Sequence, residues 1–316
     1  MHASTLSRRD FIASALAASV ITPWSAKAAL SADGVTLGFN TYGMKTLSTE
    51  DAIRELSKIG FDTIELDSTS GTDGDPSSLT PARRADLRKI TKDLGLKFTA
   101  VQGVKPPSIN DEQHAANLER FKVLAQLCHD LDPGHPPMIE CGLGGRDPFE
   151  KMKPMFLKRV ADWVKVAESS DIHIVVKPHR DTSMDRPDQA IDLFKDLGNP
   201  PRLRMSWDYS HFALRDLPLA ETIRVALPWT GFVAIKDVAM ENGRGVFKLP
   251  GETKQIDYPA LVKGFYEGGY RGDFNCEISS MIFTKPGFDC LAAARISYAN
   301  IAPAFAMAGV PRVRRS

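Results

Sequence analysis

Ile172-His173-Ile174-Val175-Val176-Lys177-Pro178-His179-Arg180 is a run of apolar β-formers that ends abruptly in a lysine, a proline and a histidine. Its length and β-branched content read as a buried strand. Leaving a charge unpaired in an apolar interior is costly. A buried strand that finishes on ionisable groups therefore implies that its end opens into a cavity.

Outward from this stretch, short β-rich runs alternate with longer segments of helical period. Strands are predicted upstream at 35–40, 63–66, 97–102 and 137–141, and downstream at 203–207, 231–235 and 274–278. Between the first two, Ser48-Thr49-Glu50 offers a helix start, Ala52, Ile53, Leu56 and Ile59 fall on one face, and Gly60 stops the helix. Thr80-Pro81 opens the next helix, with Leu87, Ile90 and Leu94 as its stripe and Gly95 after it. Further helices are predicted at 111–130, 148–169, 187–197, 219–226, 258–268 and 287–308.

Eight strands alternating with helices predict repeated βαβ units closed into a single parallel (β/α)8 TIM barrel. An open sheet of eight would be less compact. A doubly wound sheet would carry a Gly-rich phosphate loop after the first strand, and the sequence has none there. No linker rich in Pro, Gly or Ser divides residues 29–310, so the barrel is expected to be one domain.

The 316 residues and 43% apolar content suit a globular fold with a sizeable core. A formal net charge of +1 gives no global electrostatic basis for binding nucleic acid or an anionic membrane surface. The basic run Pro311-Arg312-Val313-Arg314-Arg315 is short, and 311–316 is expected to be a solvated tail. Cys128, Cys141, Cys276 and Cys290 lack CxxC spacing, which argues against structural zinc; their spacing fixes no disulfide pairing, and the default expectation is buried small side chains.

The first 28 residues stand apart. Ser7-Arg8-Arg9-Asp10-Phe11-Ile12 pairs two arginines with an apolar stretch to Trp24, followed by the small-x-small site Ala26-Lys27-Ala28. That layout predicts a twin-arginine-type signal peptide over 1–28. The apolar run is shorter than the roughly 20 residues that span a bilayer, and no later segment is long and apolar enough. The mature protein is expected to begin at Ala29, to carry no membrane span, and to be exported to the periplasm or beyond. N-terminal sequencing of protein from the native cell envelope should start at Ala29, and a mature chain starting at Met1 would overturn this.

In a barrel of this kind, catalytic groups gather at the C-terminal strand ends. Those ends carry Asn40 and Tyr42, Glu65 and Asp67, Gln102, Glu140, Lys177 and His179, Asp208 and His211, Lys236 and Asp237, and Glu277. All eight strands deliver polar groups to one rim.

At this point the chain resembles a family: the sugar phosphate isomerase/epimerase proteins with a xylose-isomerase-like barrel. Thr49-Glu50-Asp51-Ala52 through Lys58-Ile59-Gly60-Phe61-Asp62-Thr63-Ile64-Glu65-Leu66 is similar to the family's first helix and second strand. Leu249-Pro250-Gly251-Glu252, Ile256-Asp257-Tyr258, Gly269-Tyr270-Arg271-Gly272 and Glu277 are similar to its last strand–helix–strand unit. The likeness covers nearly all of the mature chain.

The resemblance implies a divalent metal held by Glu, Asp, His and Glu from strands five to eight. Asp208, in Trp207-Asp208-Tyr209-Ser210-His211, stands at the Asp position, His211 at a frequent nearby His, and Glu277 at the last Glu. Two positions depart. Lys177 replaces the strand-five Glu, with His179 kept two residues on, and Ala234 replaces the strand-seven His ahead of Ile235-Lys236-Asp237. Two carboxylates with no cation between them would be costly to keep charged. Lys177 is therefore expected to set its ammonium between Asp208 and Glu277. The open alternative is a rearranged site in which Glu140 or His179 joins Asp208 and Glu277, whose oxygens would favour Mn²⁺ or Mg²⁺. The expected cofactor is thus none, or a weakly bound Mn²⁺ or Mg²⁺.

The resemblance also implies an isomerase or epimerase acting on a small-molecule carbohydrate. Epimerisation, ketose–aldose isomerisation and β-elimination share a base for a carbon-bound proton and an electrophile for the enolate. By resemblance Glu277 is the base, and Lys177 with Lys236 takes the electrophile's role. A desolvated lysine could instead form a Schiff base. His179 and His211 are read as substrate ligands or proton shuttles, and Asn40, Glu65, Gln102, Glu140 and Lys236 as substrate-binding residues. The alternatives are a non-catalytic sugar-binding barrel, or a lyase or hydrolase on keto-sugars. An endonuclease of the related barrel would need more metal-binding histidines than the seven here, and a basic face. Nothing in the sequence fixes the oligomeric state.

Overall fold

The computed structural model describes residues 34–215 and 217–313. The predicted signal peptide at 1–28 and the last residues of the basic tail, 314–316, lie outside the described residues. Ten strands follow in chain order: β1 Thr36–Asn40, β2 Thr63–Asp67, β3 Lys97–Gln102, β4 Met138–Gly142, β5 Ile174–Lys177, β6 Leu203–Asp208, β7 Thr230–Ile235, β8 Asp237–Glu241, β9 Arg244–Lys248 and β10 Asp273–Cys276. Eight of them close into a barrel in the order β1-β10-β7-β6-β5-β4-β3-β2. Every pairing in it is parallel. The predicted TIM barrel is therefore present, with all eight predicted strands in place.

The local reasons are those legible in the residues. In the helix Thr49–Ile59, the Ser48 side chain accepts from the Asp51 amide, and Gly60 closes the helix at φ 114°, a left-handed value that suits glycine. Ala52, Ile53 and Leu56 are the face it buries on the barrel. The helix Pro81–Asp93 starts on a Thr80 cap with proline at its first position.

The bottom of the barrel, away from the strand C-termini, is tied by Asp273. Its carboxylate accepts from the hydroxyls of Thr36, Thr63 and Thr99 and from the Asn275 amide, joining β10 across the barrel interior to β1, β2 and β3. Gly38 faces this knot. A Cβ there would lie 2.4–2.5 Å from the Thr63, Asn275 and Asp273 side chains, so only glycine fits. Above it, Ala100, Met138, Val175, Phe232 and Ala234 fill the barrel's middle layer. All four cysteines are buried and unpaired.

Two features depart from the sequence-based expectations. The segment after β7, to which no element was assigned from the sequence, is an antiparallel hairpin of β8 and β9. Asn242 and Gly243 at its tip both have positive φ, 48° and 74°, the backbone of a tight hairpin turn. The basic tail expected to be solvated is docked over its described part. Val35 N–H donates to Pro311 O at 3.1 Å and Val313 N–H to Val35 O at 3.0 Å. Arg312 forms an ion pair with buried Asp62 at 2.7 Å, because that carboxylate offers the cation a better partner than water at the barrel's base.

Candidate active site

Side chains two residues apart on a strand share a face, and this period sets the candidate residues into the barrel's upper layer. On β6 it brings Ser206 and Asp208 inward together. On β5 it brings Lys177 above Val175, and Lys236, the residue after β7, follows Ala234 two residues on. The Lys177 ammonium lies 3.0 Å from Glu140 Oε1 and 2.7 Å from Glu277 Oε2. The other Glu277 oxygen is 3.0 Å from Lys236 Nζ, which is 3.3 Å from Asp208 Oδ2. The result is an alternating row, Glu140–Lys177–Glu277–Lys236–Asp208, every member of which is buried.

Three charges in the row, those of Lys177, Glu277 and Asp208, are held by their neighbours. Burial alone pushes the Lys177 pKa down, but Glu140 and Glu277, with Asp208 and Glu65 further off, outweigh it and hold it well above the ordinary lysine value. Burial likewise pushes Glu277 up, and Lys177 and Lys236 outweigh it, so its carboxylate sits well below the usual range. Asp208 is depressed in the same way, with Lys236 and His211 overcoming burial. A lysine held so firmly as an ammonium is no nucleophile. The Schiff-base role open to a desolvated Lys177 is not supported, because its carboxylate partners keep it charged.

Glu65 lies beside the row and behaves differently. It is fully buried, and neither carboxyl oxygen has a hydrogen-bond donor. Burial, then the negative charge of Glu140, raise its pKa well above the ordinary glutamate value. In its neutral form its O–H is placed to donate to Glu140.

Two imidazoles flank the Asp208 end of the row. The His179 and His211 rings stand 4.0 Å apart, centroid to centroid. The Arg180 N–H donates to His211 Nδ1 at 3.3 Å, and His179 Nδ1 lies 2.6 Å from the Arg180 carbonyl oxygen. His211 Nε2 faces Asp208 Oδ2 at 3.4 Å. Burial and then Lys236 push both pKa values down, that of His179 to about 4, so both rings are neutral at neutral pH. The β8–β9 hairpin covers them. The Phe247 ring is 5.2 Å from the His211 ring, with Lys236 Nζ at 4.9 Å and the Arg180 guanidinium at 4.3 Å from its centroid.

The structure brings together Glu65, Glu140, Lys177, His179, Asp208, His211, Lys236 and Glu277 from the sequence-predicted set. Asn40 and Gln102 form a separate amide pair on the β1–β3 side at 3.2 Å, with Gln102 reaching Asp67 at 3.4 Å. Lys177 was expected between Asp208 and Glu277. It bridges Glu140 and Glu277 instead, and Lys236 fills the gap to Asp208, because the stagger of barrel strands decides which rim residues meet. Sequence reasoning passed over Ser206, whose hydroxyl donates to Glu140. Its spacing two residues before Asp208 was the available signal. It also passed over Phe247, signalled only by the Asn242-Gly243 turn five residues or fewer before it.

Of the four ligands that the resemblance implies, Asp208 and Glu277 remain, and their inward oxygens are in contact with ammonium groups. Among the described residues, no group of three or more His, Cys, Asp or Glu is arranged to hold a metal ion. The residues present do not fit one.

A family model described as the xylose isomerase-like TIM barrel matches residues 53–294. A human protein named "Putative hydroxypyruvate isomerase" is 29% identical over 147 residues, which are 45% of this chain and 50% of that protein. This chain thus spans about half the length of that relative. Among solved structures, a 3-keto-D-glucoside 4-epimerase from E. coli superposes with a TM-score of 0.66 at 14% identity, covering 85% of this chain and 99% of its own. A xylose isomerase-like TIM barrel protein from Mycobacterium smegmatis, in complex with magnesium, gives 0.64 at 18% identity, covering 87% and 97%. At such identities the structural matches speak for the fold alone.

Proposed function

The chain belongs to the xylose isomerase-like TIM barrel family, and from that premise we propose an enzyme that moves a proton beside the carbonyl of a sugar or keto-sugar. Two ammonium groups serve where related barrels employ a metal. The observation that carries this reading is the Glu277 carboxylate bridging Lys177 and Lys236 at 2.7 and 3.0 Å. Fixed N–H donors in a buried site stabilise charge developing on an enolate oxygen without reorganising. A substrate carbonyl entering beside the row would draw one ammonium from its carboxylate and accept its N–H. Isomerisation, epimerisation and β-elimination all begin from that enolate, and the names of the human and E. coli relatives fit the first two. We further propose that the substrate is met outside the cytoplasm, as the twin-arginine-type leader suggests.

One observation favours a second reading, a non-catalytic sugar-binding barrel: Glu277, the expected base, has both oxygens engaged by ammonium groups. Exchange of carbon-bound hydrogen separates the two. The purified protein, treated with a chelator, is incubated in D₂O with hydroxypyruvate and with a 3-keto-D-glucoside, and the substrate is followed by proton NMR. Exchange is expected to persist with the chelator and to fall about 10²–10³-fold in Lys177→Met, the usual loss for a charge-stabilising donor. A folded parent that binds a probe but exchanges no hydrogen would leave the binding reading standing and end the enzymatic one.

A further inference from the structure

If the reaction begins with loss of a carbon-bound proton, some group must take it, and the structure narrows the choice. Glu277 has one oxygen against each lysine. On Asp208, Oδ1 accepts from the Ser210 amide and hydroxyl, and Oδ2 faces Lys236 and His211. Glu140 receives Ser206 and Lys177 on one oxygen and lies next to the Glu65 acid. Lys177, held as an ammonium, has no lone pair to offer. The carboxylates that the resemblance nominates are already committed.

The two imidazoles are not equivalent, and the peptide of Arg180 makes them differ. An N–H can only donate, so His211 Nδ1, which receives the Arg180 amide, carries no proton. The proton of neutral His211 therefore sits on Nε2, toward Asp208. A carbonyl oxygen can only accept, so His179 Nδ1, which faces the Arg180 carbonyl, must carry the proton. Its Nε2 is left as a bare lone pair. One residue's backbone thus fixes opposite tautomers in two adjacent rings. The loop holding them is fixed in turn: the His179 amide donates to Met184 O at 2.9 Å, and the Thr182 hydroxyl donates to His179 O at 2.7 Å. The His179 ring lies within the field of Lys236, Lys177 and Glu277, beside the candidate electrophiles.

We propose that His179 Nε2 is the base that removes the substrate's carbon-bound proton, with the Arg180 carbonyl setting its tautomer. This rests on the enolising reading above. In the step, the C–H bond breaks and its proton passes to Nε2, giving an imidazolium. The electron pair forms the carbon–carbon double bond, and the carbonyl π pair moves to oxygen, where an ammonium N–H receives it. For an isomerisation, the hydroxyl proton on the carbon that lost its hydrogen passes to the enolate oxygen, and the imidazolium returns its proton to the former carbonyl carbon. The double-bond pair forms that new C–H bond while the other oxygen closes the new carbonyl, which restores the neutral ring. A His179 pKa of about 4 leaves the lone pair free at neutral pH, whereas Glu277 is held lower still by its two lysines.

Two measurements test this. In protein labelled with ¹⁵N-histidine, long-range ¹H–¹⁵N NMR at neutral pH should show His179 protonated on Nδ1 and His211 on Nε2. His179→Gln and His211→Gln assign the signals. His179 protonated on Nε2 would overturn the proposal without reference to any substrate. In the D₂O exchange assay, His179→Gln should lose about 10²–10⁴-fold in rate, the usual contribution of a general base, and exogenous imidazole should restore part of it in His179→Gly. If the parent exchanges a probe and His179→Gln exchanges it equally fast, His179 is not the base although the enolising reading survives. If the folded parent exchanges neither probe, the enolising reading and this role fall together.

Discussion

Replacing Lys177 with methionine is expected to destabilise the protein by about 3–5 kcal/mol at neutral pH, the scale for breaking a buried ion pair from one side. The substitution keeps the side chain's length and removes its charge, leaving Glu140 and Glu277 facing each other with Glu65 close by. The pH dependence follows from the directions of the two shifts. The folded-state pKa of Glu277 is depressed, so its contribution is present above the ordinary glutamate value of 4.5 and is lost as pH falls through the lowered value. That of Lys177 is raised, so its contribution is present below 10.5 and is lost as pH rises through the raised value. The gap between parent and variant should be widest between those limits and should narrow in acid, where the orphaned carboxylates protonate. Urea denaturation at a series of pH values measures it. A variant as stable as the parent, or a gap that stays constant into acid, would show that Lys177 does not neutralise this cluster.

The double substitution Lys177→Glu with Ala234→His is expected to gain tight Mn²⁺ binding that the parent lacks. A carboxylate at 177 would stand between Glu140 and Glu277, and the ammonium that now holds that position would be gone. Ala234 is in register with Asp208 on one side and Asn275 on the other, so an imidazole there enters at the height of Asp208. With Asp208 and Glu277 this makes four donors. Titration calorimetry should give one site per chain in the variant, and at 100 times the dissociation constant the ion should add about 2.7 kcal/mol to its stability. A parent that already binds Mn²⁺ stoichiometrically would contradict the account of lysine standing in for metal. A well-folded double variant that binds none would show that 177 and 234 do not share the site with Asp208 and Glu277.

Much of the fold was legible because its signals are local. Residues 63–66 and 172–177 are short apolar runs between turn formers, and Ser48 and Gly60 bracket a helix whose buried face has the right period. The hairpin was carried by a two-residue cue, Asn242-Gly243, flanked by strands too short and too mixed in polarity to show alternation. The site was legible as a set of residues and not as a set of contacts. Lys177 was expected to pair with Asp208, Glu277 or both, and it does meet Glu277, yet β4 lies beside β5 and Glu140 takes the place of Asp208. Register around a closed barrel is a long-range property, and no spacing along the chain encodes it. The opposite tautomers of His179 and His211 depend on a single peptide unit between them, which composition and motif leave unmarked. The tail was misjudged for a similar reason: the partner of Arg312 is Asp62, 250 residues earlier.

The seam of the barrel has a consequence for the order in which the protein is made. β1 finds its second neighbour only in β10, and the Thr36–Asp273 hydrogen bond spans 237 positions. A ribosome that has finished β7 therefore carries an open sheet with bare edges at β1 and β7, the groups through which unfinished chains pair with one another. Such closure between distant segments is slow and comes late. Until β10 is inserted and Val313 reaches Val35, the nascent chain is a substrate for chaperones and for aggregation. After that step, the barrel has no free edge left to recruit a neighbour.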